Sequence, residues 1–213
     1  AQLKGCGIPF SVHPPAWDVN AAAPLKALRD AAAFLNKQAL LFCREIGGTQ
    51  LVYHPGYYDR DSNFSRTRAI DASYALLDEM IAAARGADIT IAYENIAGPS
   101  MALFTQEEFI HALDGIDPCV RFLLDLGHAH CNHWDIPAVI DRIGDRLCGF
   151  HLHDNDGEAD RHWVPGDCIV DWKHCMPKLA KAPRLQSLQN ESASNKLSIE
   201  ELCRRIDQVG RVC

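Results

Sequence analysis

Six short apolar runs in this chain each end on a side chain that can bind a metal, and longer stretches with helical spacing lie between them. The runs read Phe10-Ser11-Val12-His13, Leu51-Val52-Tyr53-His54, Ile91-Ala92-Tyr93-Glu94, Phe122-Leu123-Leu124-Asp125, Gly149-Phe150-His151 and Leu188-Gln189-Asn190-Glu191. Strands are expected over residues 7–12, 50–53, 89–93, 121–124, 148–153 and 185–190. Helical periodicity covers 24–46, 66–85, 105–113, 136–143, 175–181 and 198–209. Thr105-Gln106-Glu107-Glu108 and Ser198-Ile199-Glu200-Glu201 have the form of capping boxes that open helices. Repeated strand–helix units imply a parallel α/β sheet.

Such a sheet is either open and doubly wound or closed into a barrel. The chain has no GxGxxG or GxxxxGK[ST] loop of the kind that binds nucleotides on open sheets. In a barrel all the C-terminal strand ends converge on one rim. On an open sheet six metal-capable residues would be strung along an edge, where they have no common purpose. The pattern therefore predicts a barrel with a metal at its mouth. Apolar residues make up 47% of the 213 positions, and no run reaches membrane-spanning length, so a single domain over 1–213 is expected.

The formal charge of −7 speaks against an electrostatic grip on nucleic acid. Arg60, Arg66 and Arg68 form the only basic cluster near a strand-end loop, and Asp59 and Asp61 dilute it. Nine cysteines are scattered without a CxxC pair, which reads as reduced, mostly buried thiols and a cytoplasmic protein. The start, Ala1-Gln2-Leu3-Lys4-Gly5, has no signal-peptide pattern and no initiator Met, and is expected to begin inside a longer protein.

Within the constellation, His151-Leu152-His153-Asp154-Asn155-Asp156-Gly157 is the densest segment, with Asp160-Arg161-His162 close behind. Strand alternation places His151 and His153 on one face. Glu94 closes a buried run, where an unpaired carboxylate is costly. In Asp125-Leu126-Gly127-His128, Gly127 is expected to permit a sharp turn that returns His128 toward Asp125. Alone, His13 before Pro14-Pro15 and His54 before Pro55-Gly56 read as turn residues, and Glu191 as loop chemistry beside Gln189. His130 and His133 read as loop residues supporting the site, and His111 and His174 as structural.

As a set, Ser11-Val12-His13-Pro14-Pro15, Tyr53-His54-Pro55-Gly56, Tyr93-Glu94-Asn95, Leu124-Asp125-Leu126-Gly127-His128 and His151-Leu152-His153-Asp154-Asn155 resemble the xylose-isomerase-like barrel superfamily. That superfamily includes sugar phosphate isomerases/epimerases and endonuclease IV. Asp160-Arg161-His162, Pro165-Gly166 and Asp171-Trp172 extend the likeness, which runs from about residue 7 to 191. The resemblance implies a (β/α)8 TIM barrel, lacking or truncated at the first βα unit because too few residues precede His13. For epimerase-type members it implies one divalent ion on Glu94, Asp125, His151 and Glu191, with His153 the alternative to His151. Glu94 and Glu191 would be general base and acid. His128 and His54 would bind substrate hydroxyls, with His153, Trp17 and Trp163 also at the substrate and Tyr57 and Trp134 as further walls.

For endonuclease IV it implies three zinc ions on His13, His54, Glu94, Asp125, His128, His151, Asp160, His162 and Glu191. The expected activity is thus metal-dependent isomerisation or epimerisation of a small sugar, sugar phosphate or polyol, through proton transfer beside a carbonyl. The alternatives are a zinc phosphodiesterase acting on abasic DNA and a catalytically silent metal-binding barrel. Imidazole-rich, thiol-poor ligation suits zinc, and the carboxylate core suits manganese as well. The expected partner is a carbohydrate substrate, with neither membrane nor nucleic acid, and pairing into a homodimer is implied by resemblance alone.

Overall fold

A computed structural model describes residues 9–16, 18–58, 63–179, 181, 185–192, 201, 204, 205 and 208. The strands β1 (Ser11–Val12), β2 (Gln50–Tyr53), β3 (Thr90–Glu94), β4 (Val120–Asp125), β5 (Leu147–Leu152) and β6 (Ser187–Asn190) form one parallel sheet in sequential order. Helices α1 (Lys26–Ile46), α2 (Arg66–Ala84), α3 (Gln106–His111), α4 (Leu126–Cys131), α5 (Ile136–Ile143) and α6 (Trp172–Leu179) connect them. The result is a (β/α) barrel of the TIM type with six strands, and its seam lies between β6 and β1, which do not pair among the described residues.

Alternation along the strands sorts side chains into two cores. Leu51, Tyr53, Ile91, Tyr93, Phe122, Leu124, Phe150 and Leu152 face the helices and join the main apolar cluster. Val52, Ala92, Leu123 and Cys148 form a small separate cluster inside the barrel. Gln50 donates to Cys148 Sγ at 3.4 Å and accepts from Ser187 Oγ at 2.7 Å, a polar link across the interior. A register shift at Phe122/Leu123 against β5 brings Gly149 opposite Leu123, and from there His151 pairs with Asp125.

Local signals account for most boundaries. Helix α1 ends in a Schellman-type turn at Gly47, whose φ of +79° favours glycine. Helix α3 opens with a complete capping box: Thr105 accepts from Glu108 N, and the Glu108 carboxylate accepts from Thr105 N. The Ser198 capping box lies outside the described residues, as do residues 7 and 8 of the first expected strand, and Pro9 and Phe10 precede β1 without joining it. The region after Pro165-Gly166 carries α6, which begins at Trp172, three residues earlier than its apolar spacing indicates. One helix was not anticipated, the six-residue α4 directly after β4. Asp125 caps it by accepting from His128 N at 2.7 Å, and Gly127 lies inside it with no left-handed φ. The sharp turn expected at Gly127 is therefore a helix start made by Asp125.

Phe109 is buried against Tyr93, Phe122 and Trp134, with ring centroids 5.0–6.2 Å away. Phe109→Ala should cost about 3–5 kcal/mol, whereas Thr105→Ala, which removes only the α3 cap, should cost about 1 kcal/mol. Denaturant midpoints of the two variants check that ranking; equal losses would contradict it.

Candidate metal centre

The period of two that builds the inner core also delivers the site. Each polar side chain is the next inward position after a core residue: Val52 then His54, Ala92 then Glu94, Leu123 then Asp125, Gly149 then His151 then His153, Gln189 then Glu191. Potential ligand atoms fall into three groups, and within each group they lie within 4.8 Å of one another. One is Glu94, Asp125, His151 and Glu191; a second is His13, His54 and Glu94; a third is His128, His153, Asp160 and His162. Glu94 belongs to two of them, and Asp125 stands 3.0 Å from His153 of the third.

At the centre, His151 Nδ1 is 2.7 Å from Glu94 Oε1 and 3.0 Å from Glu191 Oε1. Its other nitrogen, Nε2, meets Gln189 Oε1 at 2.8 Å. The same device recurs around the mouth. His13 Nδ1 meets Pro14 O at 2.7 Å, His128 Nδ1 meets Asn95 O at 2.8 Å, and His162 Nδ1 meets Glu191 O at 2.8 Å. A carbonyl can only accept, so each of those nitrogens donates and the opposite nitrogen is left facing the carboxylates. His54 presents Nε2 to Glu94 Oε2 at 2.7 Å.

The donor set fits a divalent cation. Three carboxylates and one imidazole suit zinc or manganese, and Asp125 Oδ2 is buried without a hydrogen-bond partner. A bare carboxylate oxygen in such a place is costly unless a cation faces it. Glu191 is the most open of the four, with 23% of its side chain exposed.

Burial and charge act in opposition on the titrating groups. Burial pushes Glu94 up, but His151 and His54 outweigh it and hold the carboxyl well below its ordinary value. Burial disfavours charged His151, yet Glu94 and then Glu191 lift it to about 9. The hydrogen bond to Asp160 lifts His162 to about 9 as well. Burial, with the neighbouring charges of Glu94 and Asp125, raises Glu191 against His151, while Asp160 is held low against burial by His128 and His162.

The loop after β5 is fastened by Asp154, which has no exposed surface. Its two oxygens accept from the backbone N–H groups of Asn155, Gly166, Cys168 and Val170 and from Trp172 Nε1, at 2.9–3.1 Å. That clamp holds the segment carrying Asp160 and His162. His162 has φ +50°, a left-handed conformation that is strained for a residue with a side chain.

The ligand-type residues expected at the site, His13, His54, Glu94, Asp125, His128, His151, His153, Asp160, His162 and Glu191, are brought together in these three groups; Trp17 lies outside the described residues. Trp163 is 40% exposed on the Asp154 loop, with Arg161 over its ring at 5.9 Å. Trp134 packs on Phe109 in the core, and His111 and His174 make exposed pairs with Asp114 and Asp171. Sequence reading passed over Gln189, Asn95 and Asp154 as supports. Only Asp154 carried a signal, by lying in the densest polar segment.

The family model of the xylose isomerase-like TIM barrel matches residues 1–187, and the chain belongs to that family. It is 25% identical over 191 residues to the uncharacterized protein MJ1614 of Methanocaldococcus jannaschii, covering 86% of this chain and 71% of that one. Among solved structures it is similar to a D-tagatose 3-epimerase-like protein, with TM-score 0.79, 20% identity and coverage of 97% and 78%. It also resembles the IolI protein with a bound zinc atom, with TM-score 0.76, 17% identity and coverage of 94% and 74%. These two likenesses show the shared fold. No described helix is long and apolar enough to cross a membrane, and the six described cysteines are unpaired thiols.

The two histidines raised to about 9 contribute stability that is complete below their ordinary value of 6.5 and lost as pH rises toward 9. After chelator treatment the Tm should therefore fall between pH 6.5 and 9. With zinc bound it should hold or rise over that range, because ligation needs deprotonated imidazoles. A scanning-fluorimetry pH series checks this; identical profiles for the two forms would contradict it.

Proposed function

We propose that this chain is a divalent-metal-dependent isomerase or epimerase of a small sugar, sugar phosphate or polyol derivative, and that residues 1–213 form one domain. The observation that carries the reading is the pair Glu94 and Glu191. Glu94 ends β3 and Glu191 follows β6, and the two converge on one imidazole nitrogen, 2.7 Å and 3.0 Å from His151 Nδ1. Two carboxylates on opposed sides of a bound carbon can remove a proton from one face and return it to the other. Glu94, Asp125, His151 and Glu191 would hold the ion. Bound there, a divalent cation supplies the positive charge that lowers the cost of an enediolate.

The remaining side chains have roles that follow from their directions. His128 Nε2 and His54 turn inward and can hydrogen-bond substrate hydroxyls, while Trp163 can cover the sugar from the Asp154 loop. The D-tagatose 3-epimerase-like neighbour and the zinc-bearing one support the substrate class and the ion respectively. Zinc and manganese both suit the ligands. A cytoplasmic setting agrees with the unpaired cysteines, and a homodimer remains part of the proposal by family resemblance.

A second reading is favoured by one observation, the distribution of all nine potential zinc ligands into three contiguous groups. That arrangement suits a zinc phosphodiesterase acting on abasic DNA. The charge of −7 opposes it, and the described arginines near the rim are engaged elsewhere. Arg66 is paired with Glu108 at 2.5 Å, and Arg68 lies over the Phe64 ring at 5.0 Å.

Metal content of the purified protein by plasma emission separates the two. About one ion per chain, with turnover of a panel of ketoses, ketose phosphates and polyols, is the expected result. Three zinc ions with cleavage of an abasic duplex and no sugar turnover would overturn the proposal. Glu94→Gln and Glu191→Gln should each lower kcat by roughly 10²–10⁴-fold, the usual worth of a positioned acid or base. Full activity in either variant would remove that residue from its role. His162→Ala should lower sugar turnover only mildly, whereas a three-zinc phosphodiesterase would lose its activity.

A further inference from the structure

We infer that His153 is a positioning residue, one that ties Asp125 of the central group to Asp160 of the outer group rather than binding an ion or substrate itself. The inference rests on the metal centre proposed above and extends it to a residue with no exposed surface. Being sealed off, His153 cannot touch a sugar in the mouth.

Its ring is confined by two close neighbours. The His162 ring stacks on it with centroids 4.0 Å apart and planes 8° from parallel. Gly127 abuts it as well: a Cβ there would stand 2.0 Å from His153 Cε1, 2.3 Å from Nδ1 and 2.5 Å from Nε2. The helical backbone at Gly127 has no left-handed φ, so glycine is required there by the neighbouring ring. Between these supports, Nε2 stands 3.0 Å from Asp125 Oδ1 and 3.5 Å from Asp160 Oδ1, one carboxylate of each group.

Two features set His153 apart from the other histidines of the mouth. His13, His128, His151 and His162 each anchor one nitrogen on an oxygen acceptor and turn the other inward. Neither nitrogen of His153 makes an aligned hydrogen bond. The stacking also keeps His153 and His162 from serving one ion together. An imidazole lone pair lies in the ring plane, and two nearly parallel rings 4.0 Å apart cannot direct both lone pairs at one point. Held in place, the ring fixes Asp125 Oδ1 while Asp125 Oδ2 faces the centre, and it limits how far Asp160 can swing.

The test is zinc and manganese titration of chelator-treated protein by calorimetry, with ion stoichiometry measured in parallel and no sugar present. His153→Ala should keep the wild-type number of ions and weaken their binding roughly 10–100-fold, as loss of a ligand-orienting partner does. His153→Gln, which restores an N–H donor, should recover most of that loss and guards against a folding defect in the alanine variant. Gly127→Ala should reproduce the loss in the wild-type background and add nothing further in the His153→Ala background, because the ring it displaces is gone. Unchanged affinity in His153→Ala overturns the inference. So does loss of one whole ion, which would make His153 a ligand, or a full additional loss from Gly127→Ala without the ring. Failure of the isomerase reading would appear separately, as normal ion binding without turnover of any sugar.

Discussion

Two carboxylates, Glu94 and Asp125, are carried almost entirely out of water at the end of the sheet, with 1% and 0% of their surfaces exposed. Charges in that position are strongly unfavourable unless compensated. The rest of the mouth is arranged around that requirement. Both oxygens of Glu94 face imidazoles, His151 on one side and His54 on the other. One oxygen of Asp125 caps a helix and the other faces the centre. Protonated histidine and a bound cation are alternative sources of the same positive charge, which is why Glu94 and Glu191 hold His151 above its ordinary value against burial.

The fold and the gathering of the candidate ligands at one rim were legible because a single periodicity carries both. In a parallel barrel the inward residues of each strand repeat every two positions and all strands end on one rim. A polar residue two positions beyond an inward apolar one is therefore at the mouth wherever the strand sits. That holds for His54, Glu94 and Asp125, and it placed His151 without any knowledge of the neighbouring strands. The short helix α4 escaped because Asp125 has two uses at once. Read as a ligand, it concealed its second action as the cap of the next helix.

The supporting residues were not legible, for a different reason. Gln189 matters because the β5–β6 register brings its Oε1 to His151 Nε2. Asn95 matters because its side chain pairs with the Asp125 backbone in both directions while its carbonyl takes His128 Nδ1. Neither relation has a sequence spacing of its own; each exists only once two separate strands are adjacent. The difference between His151 and His153 likewise lies in hydrogen bonding and ring stacking, since alternation places both on one face and both are fully buried.

Asp154 has a consequence for when the site becomes ordered. Its carboxylate closes the segment from Asn155 to Trp172 onto itself through backbone and indole donors within the fold. The conformational entropy lost by Asp160 and His162 is thus lost on folding, and an arriving ion or substrate does not have to supply it. The outer histidines behave as part of a preformed wall, so exchange at the mouth can proceed while the loop stays where it is.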